Sequence, residues 1–87
     1  MTGICFICGK YGYTEEHHIF GAANRKKSTK YGLTVNLCLD CHTAGENAVH
    51  RNAETMLALH QYGQSRWQTE QGKTADDFRR EFGKNYL

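Results

Sequence analysis

Apolar and polar positions change their period along this chain. In "YTEEHHIF" the apolar marks Tyr13 and Ile19 bracket charged and imidazole side chains, the pattern of a short extended segment. "LTVNLC" is apolar and carries β-branched residues, which predicts a second strand able to pair with the first. Between them, "GAANRKKSTKYG" is bounded by glycines and filled with polar residues, so it predicts a loop. From about Val49 the period becomes helical. Val49, Ala53, Met56, Leu57, His60, Gly63 and Trp67 recur at three- and four-residue spacing, one face of an amphipathic helix. Gly63 weakens that helix locally, by about 1 kcal/mol against alanine. In "TADDFRREFG", Thr74 is placed to cap a second helix, acidic residues fill its first turn, and Gly83 stops it. Phe78 and Phe82 stand four apart and should pack on the preceding helix.

Composition makes this picture depend on a staple. At 87 residues with 39% apolar side chains, the chain reads as a single domain near the lower limit for a self-sufficient core. Domains of this size usually recruit disulfides or a metal. No apolar run approaches the roughly 20 residues needed to span a bilayer, and "MTGICFICGK" lacks the pattern of a secretory signal. The expectation is an intracellular, reducing location with no membrane partner, where cysteines serve as metal ligands.

The cysteines have the spacing for that. Cys5-x-x-Cys8 and Cys38-x-x-Cys41 are two knuckles, the first closed by Gly9. Each two-residue spacer lets both sulfurs reach one zinc at about 2.3 Å, and two pairs complete a tetrahedral thiolate site. Such a zinc has no open position; it stabilises and does not catalyse. A redox Cys-x-x-Cys or free core thiols would leave the matching spacing of both pairs unexplained. The expected order is knuckle, strand, loop, strand, knuckle, helix, helix, with a core at about 4–62 and a helical extension at about 63–87.

If the four cysteines converge, the strand end carrying His17 and His18 should approach the segment that begins at His42. His50, at the head of the helix, could point into the same space. His60 reads as an ordinary surface or core residue, Tyr13 and Tyr31 as packing residues, and Trp67 as core.

The string "CFIC…EEHHIFG…VNLCLDCH…VH" resembles the HNH endonucleases of the His-Me finger, or ββα-metal, group, and is similar to small zinc-knuckle HNH proteins of bacteriophages and prophages. The resemblance spans Cys5 to about His50. It implies an α+β fold with a ββα-metal core, two knuckles and C-terminal helices. Carried over by position, it implies that His17 and His42 hold a catalytic divalent metal, with His50 as a third ligand. It further implies that His18 is the general base and that Asn36, which stands closer to the knuckle than the family's central Asn, orients it. The implied reaction is hydrolysis of phosphodiester bonds in DNA, or alternatively RNA, assisted by Mn²⁺, Ni²⁺, Mg²⁺ or Zn²⁺ in addition to the structural zinc. A phage- or prophage-encoded protein of the bacterial cytoplasm is the implied setting. Oligomeric state is open at this point.

The net charge of +2 points to no particular partner, but Arg25, Lys26, Lys27 and Lys30 crowd one stretch and could grip a phosphate backbone. Arg51 and Arg66 are weaker candidates for the same task. The rival reading is a non-catalytic zinc-finger module that binds nucleic acid or a protein. Such a module has no need of His17, His18 and His42 beyond its four thiolates.

Overall fold

The strand pair expected around the two histidines forms, and it organises the rest of the chain. A computed structural model describes all residues, 1–87. Strand β3 (Glu15–His18) pairs antiparallel with β4 (Thr34–Leu37), in the register Glu15↔Leu37, Glu16↔Asn36, His17↔Val35 and His18↔Thr34. Because side chains alternate along a strand, Glu15 and His17 share one face with Val35 and Leu37. That face is the core side: His17, Val35 and Leu37 are buried.

A second antiparallel hairpin, β1 (Thr2–Ile4) with β2 (Tyr11–Tyr13), flanks the first knuckle and was not expected. Its exposed face carries Ile4, Tyr11 and Tyr13, so Tyr13 does not pack as anticipated. The fold is therefore α+β with two small sheets.

The polar stretch between β3 and β4 is not a loop. After a 3-10 turn (Ala22–Asn24) it forms a short helix, α1 (Arg25–Lys30). Six residues are too few to hold a helix by their own propensity. Tertiary contacts hold it instead. Ser28, fully buried, accepts a hydrogen bond from the Phe20 amide at 2.9 Å and donates one to the Phe20 carbonyl at 2.7 Å. Asn24 Nδ2 donates to the Phe82 carbonyl at 2.8 Å, and Lys27 Nζ donates to the Glu81 carbonyl. These two bonds also satisfy carbonyls at the end of α3 (Ala75–Phe82), which the helix itself leaves without partners.

The long helix α2 (Ala53–Gln71) begins later than the periodicity suggests. Asn52 caps it, accepting from the Thr55 amide at 3.0 Å, and Gly72 ends it in a left-handed conformation. Its inner face is Leu59, Gly63, Gln64 and Trp67, whereas Leu57 is exposed and Val49 lies buried before the helix starts. The helix runs unbroken past residue 62, from the expected core into the expected C-terminal extension.

Gly63 has a packing reason. A Cβ at this position would stand 2.7 Å from Ile19 Cγ2 and 3.0 Å from the Phe20 ring. Glycine lets the chain leaving β3 lie directly on α2. The core closes around Phe20, Trp67, Phe78 and Phe82, with Phe78 and Phe82 stacked at 4.3 Å as their spacing predicts. Thr74 caps α3 as expected, and the Asp77 side chain reaches back to the Thr74 amide to complete a capping box. No helix is long and apolar enough to cross a membrane.

Candidate metal centres

The first centre joins the two knuckles. Cys5, Cys8, Cys38 and Cys41 place their sulfurs within 4.8 Å of one another, a cluster that could hold a structural metal such as zinc. Cys8 Sγ lies 3.8 Å from Cys38 Sγ, far beyond a disulfide bond. It matches the edge of a tetrahedron with zinc–sulfur bonds of about 2.3 Å, which is about 3.8 Å. Antiparallel pairing of β3 and β4 carries Cys38 back toward Cys5, and the Phe6 amide donates to the Asn36 carbonyl at 2.8 Å to lock that approach.

The thiols feel each other strongly. Burial raises the Cys5 pKa, but amide hydrogen bonds from Cys8, Cys38 and Ile7 outweigh it and hold the thiol down at about 6. Burial, with hydrogen bonds among the neighbouring thiols, pushes Cys41 up. A divalent cation relieves that crowding, because it lets all four sulfurs ionise together.

The second centre is made of imidazoles. His17, His42 and His50 bring one nitrogen each within 4.8 Å of the others. The ring centroids are 5.2 Å apart for His17 and His42, 5.1 Å for His17 and His50, and 4.8 Å for His42 and His50. Two local features produce this. The residues after Cys38 form a π-helical turn (Asp40–Ala44), which carries His42 against β3. The chain then doubles back, with the Val49 amide donating to the Cys41 carbonyl at 2.9 Å and the His50 amide to the His42 carbonyl at 3.2 Å. His50 thus sits in the turn before α2 and not at the head of that helix.

The chemistry of the three rings fits a cation. His17 Nε2 is buried and has no hydrogen-bond partner, a costly state for an isolated polar atom. Burial, reinforced by the nearby His50 and His42, lowers the His17 pKa to about 4, so its ring is neutral and offers a lone pair. His42 Nε2 and His50 Nε2 are 3.1 Å apart, close to the separation of about 3.4 Å between nitrogens that share a tetrahedral ion. His42 Nδ1 lies 3.0 Å from Glu15 Oε1. That hydrogen bond fixes the His42 ring with Nε2 turned toward the cluster, and it holds the Glu15 carboxyl below its usual pKa. Glu15 was not among the expected site residues. Its place two residues before His17, on the same face of the same strand, is the signal that could have found it.

His18 alternates to the opposite face from His17, where its Nε2 lies 3.1 Å from Thr29 Oγ1 of α1. His17, His18 and His50 border one cleft of about 330 Å³, whose lining also includes His60 and Tyr86. Asn36 shares the His18 face but is not brought to it. Its side chain lies toward Gly3 of β1, and it makes no hydrogen bond to His18. The side chain that meets His18 is Thr29.

The basic residues divide. Arg25, Lys26 and Lys30 are exposed on α1, while Lys27 is half-buried and committed to the Glu81 carbonyl. Arg51 donates to the Ala44 carbonyl at 2.8 Å, and Arg66 pairs with Glu70 along α2. His60 stacks on Phe20 in the core, as an ordinary packing residue does. No family model matches the chain, and neither a curated protein nor a solved structure gives a significant match to it.

Proposed function

We propose that the chain is a metal-dependent endonuclease of the HNH, ββα-metal type, acting on phosphodiester bonds in DNA. In this reading β3, β4 and α2 are the ββα elements. The observation that carries it is the orphaned, buried His17 Nε2 within a triangle of imidazoles, beside a histidine on the opposite strand face. A zinc-finger module gains nothing from an unsatisfied buried nitrogen, whereas a cation bound by His17, His42 and His50 would satisfy it.

His17, His42 and His50 would hold a divalent cation, which would supply Lewis acidity toward the charge that builds on the phosphate. His18 accepts the proton of the attacking water. Arg25, Lys26 and Lys30 hold the backbone by charge, without reading sequence. Burial keeps His17 unprotonated, and Glu15 keeps the His42 ring from turning.

Purified, zinc-loaded protein incubated with supercoiled plasmid tests the reading. Nicking that requires added Mn²⁺ or Ni²⁺, and proceeds less well with Mg²⁺, is expected, since imidazole sites favour the softer ions. Plasmid binding without cleavage under every metal would favour the non-catalytic module.

A further inference from the structure

The contact between His18 and Thr29 decides which nitrogen of His18 carries its hydrogen. Thr29 Oγ1 has two partners: His18 Nε2 at 3.1 Å, and the Arg25 carbonyl one helical turn back at 3.3 Å. A threonine hydroxyl owns one proton and accepts through its lone pairs, while a carbonyl can only accept. Bonding back to the carbonyl four residues earlier is a recurrent arrangement for threonine in a helix. The Thr29 proton therefore goes to Arg25, and the hydroxyl accepts from His18. A neutral imidazole has a single N–H. If Nε2 bears it, Nδ1 is the nitrogen with the free lone pair. The opposite tautomer would leave the Thr29 proton shared between two acceptors.

The geometry is held from outside the pair. Ser28, next to Thr29, grips both the amide and the carbonyl of Phe20, two residues after His18. Asn24 and Lys27 fasten the same helix to the end of α3. Thr29 is thus fixed relative to His18 by buried contacts and does not depend on the exposed surface of α1. The rotamer of Thr29 is set by its own bond to Arg25.

We propose that Thr29 is a positioning residue that fixes His18 as the Nε2–H tautomer, leaving Nδ1 as the basic nitrogen. The use of that nitrogen as general base rests on the nuclease reading above; the tautomer itself does not. In α1 the same short helix then serves two ends, presenting Arg25, Lys26 and Lys30 to a phosphate backbone while setting the proton of the base.

The test is long-range proton–nitrogen correlation NMR on ¹⁵N-labelled, zinc-loaded protein, at a pH where His18 is neutral. The parent should show Nε2 as the protonated nitrogen of His18 and Nδ1 as the bare one. Thr29→Val, which keeps the branched shape and removes the hydroxyl, should shift His18 toward a mixture of tautomers, and Thr29→Ser should restore the parent pattern. Plasmid nicking by Thr29→Val should slow by no more than the general-base contribution, about 10²- to 10⁴-fold, and recover in Thr29→Ser. A parent with hydrogen on Nδ1, or a Thr29→Val spectrum identical to the parent for His18, overturns the proposal. The expected spectra without any plasmid cleavage would support the tautomer assignment and count against the nuclease reading.

Discussion

Glu15 Oε1 and His42 Nδ1 meet at 3.0 Å, so a carboxylate on the first residue of β3 sets the orientation of a ring beyond the second knuckle. Partners of this kind raise the basicity of a ligating imidazole and lock its rotation. Glu15→Ala should therefore weaken Mn²⁺ binding by about 10- to 100-fold, without unfolding the protein. Calorimetric titration of Mn²⁺ into the zinc-loaded variant measures this. Unchanged affinity would mean that His42 is held by its backbone alone.

The cysteine cluster should hold one zinc per chain, and its binding energy should be folding energy. Cys8→Ser and Cys41→Ser are expected to lose most of the zinc affinity and much of the fold. Elemental analysis and thermal melts with and without chelator read both. A protein free of zinc that melts identically under chelation would contradict a structural metal.

His17 makes a prediction about acid. Its pKa is held at about 4 in the folded chain, against an ordinary value near 6.5 once unfolded. Between those values the unfolded state binds a proton that the native state refuses, so stability rises with pH across that window. The slope is at most about 1.4 kcal/mol per pH unit. Stability is lost as pH falls from about 6.5 toward about 4, and above about 6.5, where neither state holds the proton, it no longer depends on His17 titration. His17→Leu has no proton to refuse. Without added Mn²⁺, its melting temperature relative to the parent should climb as pH falls from 6.5 toward 4. At neutral pH, Mn²⁺ should stabilise the parent and not the variant. Parallel pH curves would show that His17 is not buried as a neutral ring.

Gly63→Ala sets two effects against each other. Helix propensity favours alanine by about 1 kcal/mol. The added Cβ would press on Ile19 and Phe20, both fully buried, and overpacking of this kind costs about 1–3 kcal/mol. Overpacking wins because Phe20 is wedged among Phe78, Phe82, His60 and Tyr86 and has no room to yield. The melting temperature should fall by several degrees. A rise would mean that Ile19 relaxes freely.

Much of what could be read from the chain was local. The spacing within each knuckle, the two strands that frame the histidines and the Thr74 cap each follow from residues a few positions apart, and the strands and the cap form. The helical face of α2 was shifted because Val49 is buried by the turn that returns to Cys41, and not by helical periodicity. Helix α1 was invisible because its support comes from Phe20, Glu81 and Phe82, the last two far along the chain. Asn36 was placed by motif position, yet its side chain turns toward a β1–β2 hairpin that three-residue strands around a knuckle do not announce. The convergence of His17, His42 and His50 was legible as soon as the four thiolates were taken to meet at one ion.

In the proposed nuclease His18 acts on a proton, whereas His17 and His42 act through a metal. The nicking rate of supercoiled plasmid against Mn²⁺ concentration tests it directly, for the parent, His18→Ala, His17→Ala and His42→Ala, each confirmed folded by circular dichroism. His18→Ala should remain about 10²- to 10⁴-fold slow at saturating Mn²⁺. His17→Ala and His42→Ala should instead need more Mn²⁺ to reach half their maximal rate and recover in part at excess metal. Rescue of His18→Ala by metal, with His17→Ala beyond rescue, would reverse the two roles, and parent-like cleavage by all three would place the active site elsewhere.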